Sequence, residues 1–236
     1  TLRHVQAELA GLTATGQVAI KPIALDQTDA ALLAWISRVQ RWHERGLPAK
    51  EAGLPPSQWS ETVTETETMA DGRTRTRTVK RDRVVPSREL SIFVGSTDVR
   101  RAELPQLKDI APAAARATEV IGIPLRQRGY HVVEVSSLVL GEALLATKRP
   151  MYARTGVLVT NLAVHFKKGR SSSLAWVTSL DRGRPVAGAR VSVNDCNGQP
   201  LWSGSTDAQG IARIERGFEE GSGDEEKCLT GDGLFV

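Results

Sequence analysis

Few residue sets in this 236-residue chain combine the types and the spacing that reaction chemistry needs. The four histidines, His4, His43, His131 and His165, show neither an HExxH pattern nor a paired spacing, so no metal site is expected. His165 alternates with Val164 and Phe166 along a strand and is expected to be exposed. Ser171-Ser172-Ser173 sits in a turn without a G-x-S-x-G elbow, which argues against a hydrolase nucleophile. Glu219, Glu220, Asp224, Glu225 and Glu226 form an acidic stretch without the ligand spacing of a calcium loop, and read as a solvated loop. No glycine cluster follows a strand and opens a helix, so no phosphate cradle is expected. No catalytic residue, cofactor or metal is therefore assigned. The two cysteines, Cys196 and Cys228, lack metal spacing; they are compatible with one disulfide or with two unrelated thiols. A bridge would close a loop of about 30 residues and contribute about 3 kcal/mol on a chain-entropy account.

The stretch Glu61 to Arg83 has the strongest charge pattern. It reads as a hairpin whose register follows from charge. A three-residue loop, Ala70-Asp71-Gly72, places Gly72 at the left-handed position such loops require. Glu65 then faces Arg77, Glu67 faces Arg75, Thr66 faces Thr76 and Thr68 faces Thr74. A two-residue loop would set every Glu and Arg opposite a Thr. Opposite-charge and Thr–Thr pairs contribute roughly 0.2–1 kcal/mol each, which favours the longer loop. Neither face is apolar enough for a core, so the hairpin is expected to project or to form a polar edge. Glu65, Glu67, Arg75 and Arg77 are its candidate interaction residues. The paired glutamates largely neutralise the arginines, which argues against a polyanion ligand.

The totals set the frame for these residues. Hydrophobic residues make up 40% of the chain, enough for real cores, and no apolar run approaches membrane-spanning length. The formal charge of +4 comes from 31 basic and 27 acidic residues that alternate along the chain. That pattern supports solubility rather than nucleic-acid binding. The chain opens at Thr1 without a signal-peptide pattern, and a processed chain or a fragment is expected.

The elements that must carry these residues are mostly strands. Val5 to Leu12 and Gln17 to Leu25 read as strands, the second an edge strand or one that breaks early because of Pro22. Asp26 to Arg45 reads as the one clear helix, capped by Asp26 or Thr28, with Asp29 in its first turn. Leu32, Trp35, Ile36, Val39 and Trp42 share its apolar face, and the tryptophans read as core. The stretch on to Pro56 reads as loop. Leu90 to Val94, Glu119 to Leu125 and Tyr130 to Ser137 read as further strands, and residues 96–116 as loop. Leu138 to Leu145 lacks clean alternation. Thr147-Lys148-Arg149-Pro150 marks a boundary, dividing the chain into domains 1–149 and 150–236. Past it, Leu158, Leu162, Val164 and Phe166 are expected on one face, and Leu174, Trp176 and Leu180 facing inward on the next strand.

The stretch Pro185 to Ile214 organises the second half. Ala189, Val191 and Val193 alternate with Arg190, Ser192 and Asn194, the period of a half-buried strand. Asn197-Gly198 signals a type I′ hairpin turn, Leu201-Trp202 the return strand, and Thr206 to Gly210 the turn into a third strand, Ile211 to Ile214. Residues 217–232 are Gly-rich and acidic, and Gly233 to Val236 begins a last strand. The motifs G-x-P-V-x-G-A-x-V-x-V, G-x-x-L-W-x-G and T-D-A-x-G-I-A resemble a macroglobulin-like domain of the bacterial α2-macroglobulins. Met151 to Thr155, Leu158 to His165, Ala175 to Thr178, Gly129 to Val135 and Leu140 to Leu145 extend the resemblance.

The expected fold is mainly β: two tandem macroglobulin-like antiparallel β-sandwiches, the first with an inserted α-helix and the charged β-hairpin. The resemblance implies the third and fourth domains of a bait-and-trap inhibitor of proteases, with this piece as rigid scaffold and not an enzyme. Its implied partners are neighbouring domains of the same chain and, through the whole protein, proteases. It also implies the periplasm, with a lipoprotein anchor outside this chain, and in that oxidising compartment a Cys196–Cys228 bridge. Family thioesters join a Cys to a Gln three residues on, the spacing of Cys196 and Gln199. The intervening Asn-Gly departs from the family's Gly-Glu, however, and a hairpin turn explains it. The alternative function is an envelope protein–protein binding module that docks through the charged hairpin.

Overall fold

A computed structural model describes residues 16–23, 29–43, 46–69, 71–103, 123–218 and 233–236. The expected strand Val5 to Leu12, the caps Asp26 and Thr28, and the acidic stretch 219–226 lie outside the described residues. The architecture is mainly β, with several antiparallel sheets. The chain divides into two compact units. One comprises Thr1–Lys21, Val39–Pro124 and Val132–Gly156; the other comprises Pro22–Arg38, Leu125–His131 and Val157–Val236.

In the first unit, four strands run in the order β6-β1-β7-β8: β1 (Gly16–Ile23), β6 (Arg100–Glu103), β7 (Gly129–Ser137) and β8 (Met151–Val159). β1 has a neighbour on each side, so it is not the edge strand that Pro22 suggested. Its register with β6 runs from Gln17↔Glu103 to Ile20↔Arg100, and Pro22 comes after that run. Within the stretch expected to be loop, β2 (Gly46–Pro48) pairs with β5 (Val84–Pro86), joining buried Leu47 to buried Val85. β3 (Ser60–Thr68) and β4 (Thr74–Asp82) form a separate two-stranded ribbon.

Leu90 to Val94 is not a strand. Residues 92–95 turn, and Ile92 and Phe93 are fully buried there. The turn is fixed by Glu134 of β7, whose Oε1 accepts from Ser91 Oγ at 2.5 Å and whose Oε2 accepts from the Ile92 amide at 2.8 Å. Arg154 of β8 lies alongside, its Nε 3.3 Å from Glu134 Oε2, with both side chains 2% exposed. The Arg154 guanidinium donates to the carbonyls of Trp42 (2.7 Å), Ser87 (3.0 Å) and Leu90 (2.9 Å) and lies over the Trp42 ring. One ion pair thus ties two strands to three irregular segments. Leu138 to Leu144 is a short helix capped by Ser137, whose Oγ accepts from the Leu140 amide. Of the expected strand Glu119 to Leu125, the described end 123–125 is irregular.

The α-helix α1 (Asp29–Arg41) buries Leu33 and Val39, with Trp42 buried just past its end; Trp35 is half-buried beside Arg38. Leu33 rather than Leu32 is the buried leucine.

The second unit contains two three-stranded sheets. One is ordered β12-β11-β14 and the other β13-β10-β9, from β9 (Leu162–Lys167), β10 (Ser173–Ser179), β11 (Arg190–Asp195), β12 (Pro200–Ser205), β13 (Ile211–Ile214) and β14 (Leu234–Phe235). The three strands read between Pro185 and Ile214 are present. The third, β13, crosses to the other sheet and pairs with β10. The core between the sheets is Ala175, Val177, Val191, Val193, Ala212, Ile214 and Phe218, sealed by Phe166 and Trp202. The facing expected of β10 is therefore reversed. Ala175 and Val177 point inward, while Trp176 is 40% exposed and Leu180 59% exposed. Phe166 and Trp202 already fill the space, which leaves room only for small side chains between them. Leu162 and Val164 share a face with Phe166 yet stay exposed on β9, the edge strand of its sheet, and Leu158 of β8 is exposed as well. In this unit the Asp29 carboxylate at the start of α1 accepts from Ser192 Oγ and Asn194 Nδ2 of β11, both at 2.9 Å.

The buried pair carries the first prediction. Arg154→Ala leaves a carboxylate buried without its counter-charge and takes one donor from each of three carbonyls. It is expected to cost about 3–5 kcal/mol in urea unfolding. Burial raises the Glu134 pKa above its ordinary value of 4.5, against the opposing pull of Ser91, Ile92 and Arg154. A raised value means that its contribution to stability is full below 4.5 and is lost as pH rises through the folded-state value. Glu134→Gln is therefore expected to improve relative to the native chain as pH rises across that window, measured by unfolding at a series of pH values.

Candidate functional site

The hairpin β3–β4 has the register expected from charge. Glu65 pairs with Arg77, Thr66 with Thr76, Glu67 with Arg75 and Thr68 with Thr74. The turn closes from the Gly72 amide to the Met69 carbonyl at 2.9 Å and from the Met69 amide to the Arg73 carbonyl at 2.8 Å. Gly72 has φ of 80°, and Ala70 lies outside the described residues. Alternation then separates two faces. One carries Glu61, Val63, Glu65 and Glu67 opposite Arg81, Val79, Arg77 and Arg75; the other is a ladder of threonines ending near Lys80 and Asp82.

The charges are not shared evenly. Glu65 Oε2 accepts from Arg77 Nε and Nη2, both at 3.1 Å, and its Oε1 is engaged by Arg81. Arg81 thus reaches past Glu61, its register partner. Among the described residues neither Glu67 nor Arg75 has an ion-pair partner, although they stand opposite each other. The hairpin therefore has a neutralised middle and free charges of both signs near its tip. This can steer or register a partner surface, but it offers no group placed for catalysis.

Cys196 begins the second hairpin turn. The Gly198 amide donates to the Asp195 carbonyl at 3.0 Å, and the Asp195 amide to the Gln199 carbonyl at 2.9 Å. Asp195 Oδ1 accepts from the amides of Asn197 (2.9 Å) and Gln199 (2.8 Å). The loop is thus Cys196-Asn197-Gly198, one residue longer than the two-residue turn expected from Asn197-Gly198. Turn bonding accounts for the Cys-to-Gln spacing here. Cys228 lies outside the described residues, so the bridge to Cys196 stands as a proposal. His165 is exposed, 5.4 Å from Trp176 between ring centroids; His131 is buried, its Nε2 2.8 Å from the Gln127 carbonyl. His4 lies outside the described residues, and among the described ones no cluster of His, Cys, Asp or Glu could hold a metal. No helix among them is long and apolar enough to cross a membrane. In the first unit a cleft of about 630 Å³ lies beside Trp42, Val84, Pro86, Tyr152 and Arg154. It was not legible in the sequence, because β2 and β5, which line it, are three residues long and have no alternation to read.

Residues 159–230 match the family model of the bacterial alpha-2-macroglobulin MG3 domain. This stretch contains the strands β9 to β13. The second half of the chain accordingly carries a macroglobulin-like domain of the bacterial α2-macroglobulin family. The sequence reading placed a fourth domain there; the matched description is that of a third. Two solved structures are similar, both native alpha-2-macroglobulin from Escherichia coli. The one spanning domains NIE-MG1 is 14% identical with a TM-score of 0.40, covering 87% of this chain and 74% of that one. The one spanning MG0-NIE-MG1 is 16% identical with a TM-score of 0.37, covering 86% and 48%. No curated protein matches the chain in a sequence comparison.

Two glycines separate turn strain from packing. At Gly72 an added Cβ meets nothing within 4 Å, so Gly72→Ala is expected to cost only the positive-φ term, about 1 kcal/mol. At Gly198, φ 80°, the same Cβ would lie 2.4 Å from Ala30 Cα. Gly198→Ala is expected to cost clearly more, compared by urea unfolding. For the cysteines, an intact mass taken before and after reduction is expected to rise by two hydrogens if the bridge is present.

Proposed function

We propose that this chain is a structural part of a bacterial α2-macroglobulin-like, broad-spectrum protease inhibitor. In that reading a protease cuts a bait region elsewhere in the protein, the molecule rearranges, and the protease is trapped. This segment holds neighbouring domains at a fixed spacing. The observation that carries the reading is the family match over the second unit, where two three-stranded sheets close on a small-residue core. Such a unit buries its apolar residues internally and presents polar faces to adjoining domains. The chain is not an enzyme in this reading. The protein works in the periplasm, held by a lipid anchor outside this chain, and the Cys196–Cys228 bridge suits that compartment.

A second reading is favoured by the hairpin: it is an envelope-protein docking element, because both its faces are largely open and Glu67 and Arg75 are left unsatisfied. Replacing residues 61–83 by a short turn should then remove partners in a pull-down, and unchanged partners would count against it.

The main reading is tested with the protein that contains this chain. Trapping is expected to spare a protease's activity on small peptides while abolishing it on large proteins. The 236-residue chain alone is expected to give neither effect. Stoichiometric inhibition by the chain alone, or no trapping by the whole protein, would overturn it.

A further inference from the structure

The outward face of the β13-β10-β9 sheet carries features that the scaffold reading does not require. Register sets its rows. Arg213 and Lys167 flank Leu174, and Ile211 and His165 flank Trp176. Trp176 is the largest side chain on this face and remains 40% exposed. Its indole Nε1 donates to the Gln209 carbonyl at 3.2 Å, which anchors one edge of the ring. His165 lies 5.4 Å from it, tilted by 36°, so the two rings form a shallow angled trough. The row beyond opens into a surface pocket of about 420 Å³, lined by Lys167, Arg170, Arg213, the Ser171 to Ser173 run and one acid, Glu215. Among the described residues none of the three cations has an ion-pair partner. Lys167 and Arg213 lie two strand spacings apart, about 10 Å.

We propose that this face binds an acidic glycan, a saccharide bearing carboxylate or sulfate groups. The chemistry fits each part of the surface. A pyranose ring presents an apolar C–H face to Trp176, which offers a wide, rigid, amphipathic surface. Its acid groups meet Lys167, Arg170 and Arg213, and its hydroxyls meet the serine run. A buried greasy patch would need no cations, and a general polyanion site would need no exposed indole. A surface combining one anchored ring with a small cationic, hydroxyl-rich pocket selects for both properties at once. This proposal is independent of protease trapping.

The test uses the full 236-residue chain and four probes of matched length: alginate, heparin, dextran and oligo-dT. Calorimetry is expected to show binding to alginate or heparin at least about tenfold tighter than to dextran, weakening in high salt. Trp176→Ala is expected to lose about tenfold in affinity, Trp176→Phe to keep most of it, and Lys167→Ala with Arg213→Ala to lose the preference over dextran. Unchanged thermal unfolding of the variants shows that the sandwich is intact. No binding to either charged glycan overturns the proposal. So does a Trp176→Ala variant that folds and binds as well as the native chain, or equal binding of oligo-dT, which would make the face a generic stacking and charge surface.

Discussion

The Glu134–Arg154 pair is the constraint on which the first unit depends. Two charges that are 2% exposed carry a large desolvation cost, which burial expresses by raising the carboxyl's pKa and lowering the guanidinium's. Their mutual attraction alone need not offset that cost. Further hydrogen bonds at both ends do the rest: Ser91 and the Ile92 amide on the carboxylate, and three carbonyls on the guanidinium. The same contacts explain why a segment as apolar as Leu90 to Val94 turns instead of joining a sheet. Glu134 takes its Ile92 amide, Ser91 Oγ its Phe93 amide, and the carbonyls of Ser87 and Ser91 its Leu90 and Val94 amides, so it needs no strand partner.

The second unit is held differently. Its interior has no ion pair among the described residues and relies on the closure of two small sheets over alanines and valines. Two large aromatics, Phe166 and Trp202, seal that interior, and Trp176 is displaced to the outer face. Asp29 adds a polar tie, accepting from two side chains of β11. The turns Asp195–Gly198 and Asp207–Gly210 share one device: an aspartate whose Oδ1 accepts two amides of the loop it opens. That repeated local solution lets short strands change direction without a large core.

What could be read from the sequence follows from where a single force dominates. The register of Glu65, Glu67, Arg75 and Arg77 was legible because charge and threonine pairing make the competing register worse at every rung. Strands β11, β12 and β13 were legible because turn residues bracket clean alternation. The facing of β10 was not, since Leu174 and Trp176 outweigh Ala175 and Val177 in hydrophobicity, and only the partner sheet shows that the interior has no room for them. The buried pair was invisible as well: Glu134 and Arg154 are 20 positions apart, and nothing local says that β7 and β8 are neighbours. Of the site candidates, the hairpin was found from its pattern. The Trp176 face was missed because an inward tryptophan was the simpler expectation.

The central claim is that this chain works as stiff architecture, two cores that stay closed while other parts of the protein react. Amide hydrogen exchange by mass spectrometry measures that directly. The account predicts that the amides of β7, β10 and β11 exchange only through global unfolding, while the β3–β4 tip exchanges fast. Rapid exchange throughout β10 and β11 under native conditions would contradict it, because no closed sandwich would then be present to hold its neighbours.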